Sequence, residues 1–226
     1  MPRYGVAVPR VRRKPRQPTV VALVRHGTTP TTGKVLPGRA RGLHLSEAGL
    51  GEARRTGEHF GALEVAAVYA SPLERARETA SPIAEATGQR VSLERGLLEC
   101  DFGEWTGAEL ARLRRLPEWK TVQRHPSGFR FPGGESFQEL QTRLQTTMGL
   151  FCERHEGEAV VAVSHADCIK AVVALALGVP LDLFQRIVIS PCSTTTIVYG
   201  AEGPVVLAVN SYGPPAGFRP RKGGAR

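Results

Sequence analysis

The chain has 226 residues, is 41% hydrophobic and 23% charged, and carries a formal net charge of +9 at neutral pH. That balance suits one globular domain large enough to bury a core and excludes a disordered or fibrous chain. An apolar run such as 169–179, broken by Lys170, falls well short of the roughly 20 residues a membrane-spanning helix needs, so no membrane segment is expected.

The positive charge is localised. Residues 1–18 hold Arg3, Arg10, Arg12, Arg13, Lys14 and Arg16, and residues 211–226 hold Arg219, Arg221, Lys222 and Arg226, with no acid in either segment. The remaining twenty bases face twenty-one acids, so the body is near neutral and a nucleic-acid partner is not expected. Both end segments are rich in Pro or Gly and poor in large apolar side chains, which predicts solvated basic tails flanking a domain at 19–210. The N-terminal segment lacks the apolar stretch of a secretory signal. Cys100, Cys152, Cys168 and Cys192 show no C-x-x-C spacing, which suits reduced thiols in a cytoplasmic protein and argues against a structural zinc site.

In chain order, the hydrophobic periodicity predicts a strand at 20–24, then a helix capped by Ser46 and running toward Leu63. A strand at 65–70 follows, then a helix over 73–87 with Pro72 in its first turn and Gly88 at its end. The basic stretch 107–134, punctuated by Pro117, Pro126 and Pro132, reads as an insertion over one end of a sheet. A long amphipathic helix over 136–155 precedes strands at 159–164, 195–199 and 205–209. Strands alternating with helices predict an α/β fold: three layers, α/β/α, around a mostly parallel central sheet.

In such sheets ligands bind beyond the carboxyl ends of the strands. Arg25, His26 and Gly27 stand where the first strand ends, His165 follows the strand at 159–164, and Arg75 lies one turn into the helix after the strand at 65–70. Two histidines and two arginines thus meet at one sheet edge, a cluster that calls for an anion. A neutral imidazole is a competent nucleophile at neutral pH, and guanidinium groups hold phosphoryl oxygens through paired hydrogen bonds.

At these residues the sequence resembles the histidine phosphatase superfamily, also called phosphoglycerate mutase-like. The segments that carry the resemblance are "LVRHGTT", "LPGRARGLHLSEAG", "SPLERARETA", "LLECDFGEWTG", "FPGGES" and "SHAD", in the family's order. The resemblance implies His26 as the nucleophile that becomes phosphohistidine and Glu99 as the proton donor. It also implies Arg25, Arg75 and His165 as the rest of the phosphate pocket, with neither metal nor cofactor. The backbone amides after His165, beginning at Ala166, stand at a helix N-terminus and add to the anion site. Asp101 and Glu104 are the rivals of Glu99 in the same loop.

Many relatives carry Asn five residues after the first-motif Gly. Here that place falls at Thr32, among Thr28, Thr29 and Thr31, and Arg39 is a secondary anion contact. His44, His59, His125 and His155 read as surface residues, and Phe102 and Trp105 as packing beneath the acid's loop.

The expected function is a phosphomonoesterase acting on a small phosphorylated metabolite. The alternatives are a cofactor-dependent phosphoglycerate mutase and a non-catalytic phospho-ligand binding protein whose basic tails hold a partner. In the mutase the acid is followed by residues such as R-H-Y that bind a carboxylate, whereas here Cys100, Asp101 and Phe102 follow Glu99. Substrate identity and the choice between monomer and homodimer stay open at this point.

Overall fold

The structure, a computed structural model, describes residues 17–221. Its strands and helices are β1 (Thr19–Arg25), β2 (Val35–Leu36), α1 (Glu47–Phe60), β3 (Ala67–Ala70), α2 (Glu74–Thr87), β4 (Val91–Leu93), β5 (Ala108–Glu109), α3 (Leu110–Leu113), α4 (Pro117–Arg124), α5 (Phe137–Arg154), β6 (Ala159–Ser164), α6 (Ala166–Leu177), β7 (Thr194–Gly200) and β8 (Gly203–Ser211). The main sheet has the order β4-β3-β6-β1-β7-β8. β4, β3, β6 and β1 run parallel, and β7 runs antiparallel to both of its neighbours, β1 and β8. No helix among the described residues is long and apolar enough to cross a membrane.

Alternation along the central strands divides the core into two layers, as the period of a strand buried on both faces requires. Val21 and Leu23 of β1 pack with Val160 and Ala162 of β6 against Leu144 and Phe151 of α5 and Ile169 of α6. The intervening Ala22 and Val24 pack with Val161 and Val163 against Phe60 of α1 and Ile83 of α2. The expected three-layer α/β/α arrangement is what the chain forms.

The differences from the periodicity lie at element ends and edges. β3 begins at Ala67 rather than at residue 65, and the Val65 carbonyl accepts a bond from the Gln89 side chain instead of a strand (2.8 Å). β4 went unpredicted because it has three residues, two of them exposed, and shows no alternation to read. Pro72 stands outside its helix, since α2 starts at Glu74 behind Leu73 in an extended conformation. The left-handed Gly88 ends α2 as expected, at φ 69°. Ser136 and Glu139 form a reciprocal capping box at the start of α5, which fixes where that helix begins.

The expectation of a solvated tail from residue 211 is corrected as far as residue 221. The Leu63–Pro220 bridge and the bonds from Glu64 N to the Arg219 carbonyl and from Arg221 N to the Ala62 carbonyl (each 2.8 Å) tie the segment down. Phe218 packs edge-on against Phe60. One aromatic side chain and a few backbone bonds carry this docking, which composition averages away. Residues 1–16 and 222–226 lie outside the described residues, so the tail expectation for them stands as a proposal.

Two glycines let α1 approach the loop that follows β1. A Cβ on Gly27 would sit 2.8 Å from the Gly49 carbonyl oxygen, and one on Gly49 would overlap the carbonyl oxygen of Thr28. Backbone cannot yield as a side chain tip does, so Gly49→Ala is expected to cost about 1–3 kcal/mol, the usual penalty of overpacking. Urea denaturation checks this, and an unchanged midpoint would contradict the close approach.

Candidate active site

The register of the parallel strands brings the site residues together. Arg25 pairs with Ser164 and Ala70 with Val163, so His26, Ser71 and His165 leave the sheet side by side. The His26 amide donates to the Ser164 carbonyl and the Ser71 amide to the Val163 carbonyl, both at 2.9 Å. The two imidazole centroids are 5.2 Å apart.

His26 is only 5% exposed. Its Nδ1 lies 2.8 Å from the Gly27 carbonyl, which can only accept, so Nδ1 carries the proton and Nε2 keeps its lone pair. Burial, and then the charges of Arg75 and Arg25, push the ring's pKa down to about 3, which keeps the imidazole neutral at physiological pH. His165 is fully buried and also held well below its ordinary value, by burial and then by Arg75. Its Nδ1 stands 3.3 Å from Arg75 Nη2, a group that can only donate, so Nε2 carries the proton and donates to Ser71 Oγ at 2.8 Å.

Arg75 has no exposed surface, and α2 sets it there one turn beyond the end of β3. Nη2 donates to the Gly38 carbonyl at 2.7 Å, while Nε and Nη1 are buried without a partner. Arg25 Nη1 donates to the Ile189 carbonyl at 2.7 Å, and its Nε is likewise buried and unpartnered. Burial lowers the pKa of both guanidiniums, yet arginine stays a cation in proteins. Neither forms an ion pair among the described residues. Buried charge of this kind is costly without a counter-ion, and orphaned buried donors are rare.

Glu99 stands across from the arginines, 7% exposed. Burial and then the nearby negative charge of Asp167 raise its carboxyl to about 7, against the opposing effects of the Cys100 amide and Arg75. Cys168 Sγ lies 3.6 Å from Glu99 Oε1 and donates to the Leu98 carbonyl at 3.1 Å. The rival Asp101 is ion-paired to Arg39 and accepts from the Gly103 amide, which fixes it as a structural acid.

Sequence reasoning missed the brace that holds this loop. Arg143 of α5 donates to the carbonyls of Gly96 (2.6 Å), Leu98 (2.9 Å) and Glu99 (3.4 Å), and pairs with Glu135 at 3.0 Å. Glu135 also accepts from the Asp101 amide at 3.0 Å and pairs with Arg39 at 2.9 Å. Arg39 was expected as an anion contact, but its Nε bonds the Glu99 carbonyl at 2.9 Å and its other nitrogens meet Asp101 and Glu135. It positions the acid's loop. The signal in the sequence was the acid of "GGES" with a base eight residues later, a spacing that carries no meaning until α5 is folded against that loop.

The first-motif threonines close on themselves. Thr29 N donates to Thr32 Oγ1 at 2.9 Å, the two hydroxyls are 3.0 Å apart, and Thr28 is bound through both N and Oγ1 to Glu52 of α1. Thr32 therefore caps a turn in this structure, and its contact with a ligand stands as a proposal. Ala166 opens α6 directly after His165, and no side chain caps that end. Among the other histidines, His44 and His125 are exposed and pair with Glu78 and Asp182. His155 is mostly buried instead, tying the Tyr69 hydroxyl (2.8 Å) to Glu158. Among the described residues no group of three or more His, Cys, Asp or Glu is placed to hold a metal ion.

The insertion reaches the same edge. Phe102 and Trp105 pack against Phe131, and Trp105 stacks on Trp119 of α4. A cleft of about 200 Å³ between the insertion and α6 is lined by residues that include Leu110, Arg114, Trp119, Asp167 and Lys170.

A family model described as the histidine phosphatase superfamily, branch 1, matches residues 21–212, which include every site residue above. The chain belongs to the histidine phosphatase superfamily. Over 197 residues it is 32% identical to the bifunctional protein Rv2228c of Mycobacterium tuberculosis, covering 82% of this chain and 52% of that one. The chain thus spans about half the length of that relative. It is 30% identical over 178 residues to phosphoserine phosphatase 1 of Hydrogenobacter thermophilus, covering 76% of this chain and 84% of the relative. Among solved structures, Bacillus stearothermophilus YhfR matches with a TM-score of 0.79 at 28% identity, covering 86% of this chain and 98% of that one. In this histidine phosphatase superfamily member the strand ends, the two imidazoles and the acid's loop are one unit.

Asp167→Asn tests how Glu99 keeps its proton. A raised carboxyl pKa means the protonated form persists below about 7, and removing the adjacent negative charge lowers that limit. Carbon NMR titration of the Glu99 carboxyl is expected to show a lower midpoint in the variant, and an unchanged midpoint would contradict the role of Asp167.

Proposed function

We propose that the protein is a phosphomonoesterase that hydrolyses a small phosphorylated metabolite through a phosphohistidine intermediate, without a metal. The observation that carries this reading is the pair of buried guanidiniums with unpartnered donors beside a neutral imidazole whose Nε2 is unprotonated. A phosphoryl group satisfies all of these at once: its oxygens accept from Arg75 Nε and Nη1 and from Arg25 Nε, and its phosphorus faces His26 Nε2.

In the first step the Nε2 lone pair forms the N–P bond while the ester P–O bond breaks. The leaving oxygen takes the proton of Glu99, which its raised pKa keeps in place below about 7. In the second step Glu99, now a carboxylate, accepts a proton from water as the water oxygen attacks phosphorus, and the N–P bond breaks. Inorganic phosphate and the starting enzyme result. Ser71 accepts from His165 Nε2, His165 Nδ1 accepts from Arg75 Nη2 and so keeps that guanidinium in place throughout, and the first-turn amides of α6 add donors to the phosphoryl site. A small phosphorylated metabolite as substrate is in line with a relative named phosphoserine phosphatase 1.

Water rather than a second hydroxyl is the acceptor in this reading. The residue after Glu99 is Cys100, fully buried and kept neutral by burial, so no cation is offered there to hold a mutase substrate's carboxylate.

His26→Ala is expected to abolish turnover of phosphate esters in a folded protein, and rapid quench of the wild type to trap an acid-labile, base-stable phosphoryl group. Label on a serine, or full activity of the variant, would overturn the assignment. Glu99→Gln is expected to slow the first step by about 10² to 10⁴ for an alkyl phosphate and by much less for p-nitrophenyl phosphate, whose oxygen leaves without a proton. Equal losses in single-turnover quench would tell against Glu99 as the acid.

A further inference from the structure

Beside the acid's loop lies a recess of about 350 Å³, between the segment around Gly38, the start of α2 and the turn before Leu98. Four guanidiniums line it, from Arg39, Arg41, Arg77 and Arg95, with Glu74 the one acid among its lining residues. Arg39 is committed to Glu99, Asp101 and Glu135, and Arg77 faces Glu74. Arg41 and Arg95 are exposed and form no side-chain hydrogen bond or ion pair among the described residues. With Arg39 paired to its two acids and Arg77 set against Glu74, Arg41 and Arg95 leave a charge of about +2 at the recess, which an anion relieves.

Glu74 narrows the class of anion. Amide hydrogens of Glu74 and Gly42 donate to its carboxylate, yet Oε2 is buried with no partner. The missing complement is therefore a ligand that presents negative oxygens to the arginines and one hydrogen-bond donor to Glu74. Hydrogen phosphate has this pattern, with anionic oxygens and a single P–OH. Sulfate and a simple carboxylate lack the donor, and so does the dianion of a simple alkyl phosphate such as methyl phosphate.

We propose that this recess is a second, non-catalytic site for hydrogen phosphate, held by Arg41 and Arg95 with the P–OH donating to Glu74. Its lining includes none of Arg25, His26, Arg75, Glu99 and His165 but shares Arg39 with the acid's loop, so an anion there bears on the brace that positions Glu99. Binding at this site does not depend on the catalytic reading, and it is measured without turnover.

The test is a titration of isotopically labelled wild-type protein with inorganic phosphate, followed through backbone amide NMR signals. Two groups of shifts are expected with separate concentration dependence: one at Gly27 and Ala166, the other at Gly42 and Arg95. The double variant Arg41→Ala/Arg95→Ala, whose side chains support nothing else in the fold, is expected to weaken the second group at least about tenfold and leave the first unchanged. Methyl phosphate at mildly alkaline pH, a dianion without P–OH, is expected to bind the second site at least about tenfold more weakly than phosphate. Absence of shifts at Gly42 and Arg95, their persistence in the double variant, or equal affinity for the two anions would overturn the proposal.

Discussion

The buried guanidinium of Arg75, charged and without a carboxylate partner, is the constraint around which the site is arranged. Removing such a cation from water is costly, and a protein ordinarily offsets that cost with a paired acid. Here burial and Asp167 raise the carboxyl of Glu99 to about 7, so that below it the acid is protonated, and two donors of Arg75 have no acceptor among the described residues. Burial, and then the same positive field, keep His26 and His165 neutral. One unbalanced charge thus accompanies an unprotonated His26 Nε2 and orphaned donors, while burial beside Asp167 raises the Glu99 carboxyl to about 7. A phosphoryl dianion fits this arrangement because it supplies the charge that the fold withholds.

The architecture supplies position rather than chemistry. Register among β3, β6 and β1 places three side chains at one level, and the helices that follow set Arg75 and the first amides of α6 beside them. Opposite, the acid's loop has little regular structure of its own and is clamped by Arg143, Glu135 and Arg39. Gripping a loop through its carbonyls leaves the Glu99 side chain unencumbered by ion pairs, so its pKa responds to burial and to Asp167.

Much of this was legible in the residues. The central strands are apolar through their middles, α1 and α5 carry side-chain caps, and Arg25, His26, Arg75 and His165 stand at strand ends or in the first turn of a helix on one edge of the sheet. What was illegible depended on contacts distant in sequence. Arg39 reads in the sequence as a secondary anion contact, and only the folded chain brings it against a carboxylate 96 positions on, at Glu135. His155 looked like a surface residue until Tyr69 met it across the sheet layer. The docking of residues 211–221 rests on Phe218 and a few backbone bonds, which composition cannot register.

A crystal structure with orthovanadate bound tests the central claim most directly, because vanadium accepts a fifth ligand and takes the geometry of phosphoryl transfer. Vanadium is expected to bond to His26 Nε2, with its oxygens about 2.7–2.9 Å from Arg75 Nε and Nη1 and from Arg25 Nε, the spacing of charge-assisted hydrogen bonds. Vanadate seated with those three nitrogens still unpartnered, or bound away from His26, would contradict it.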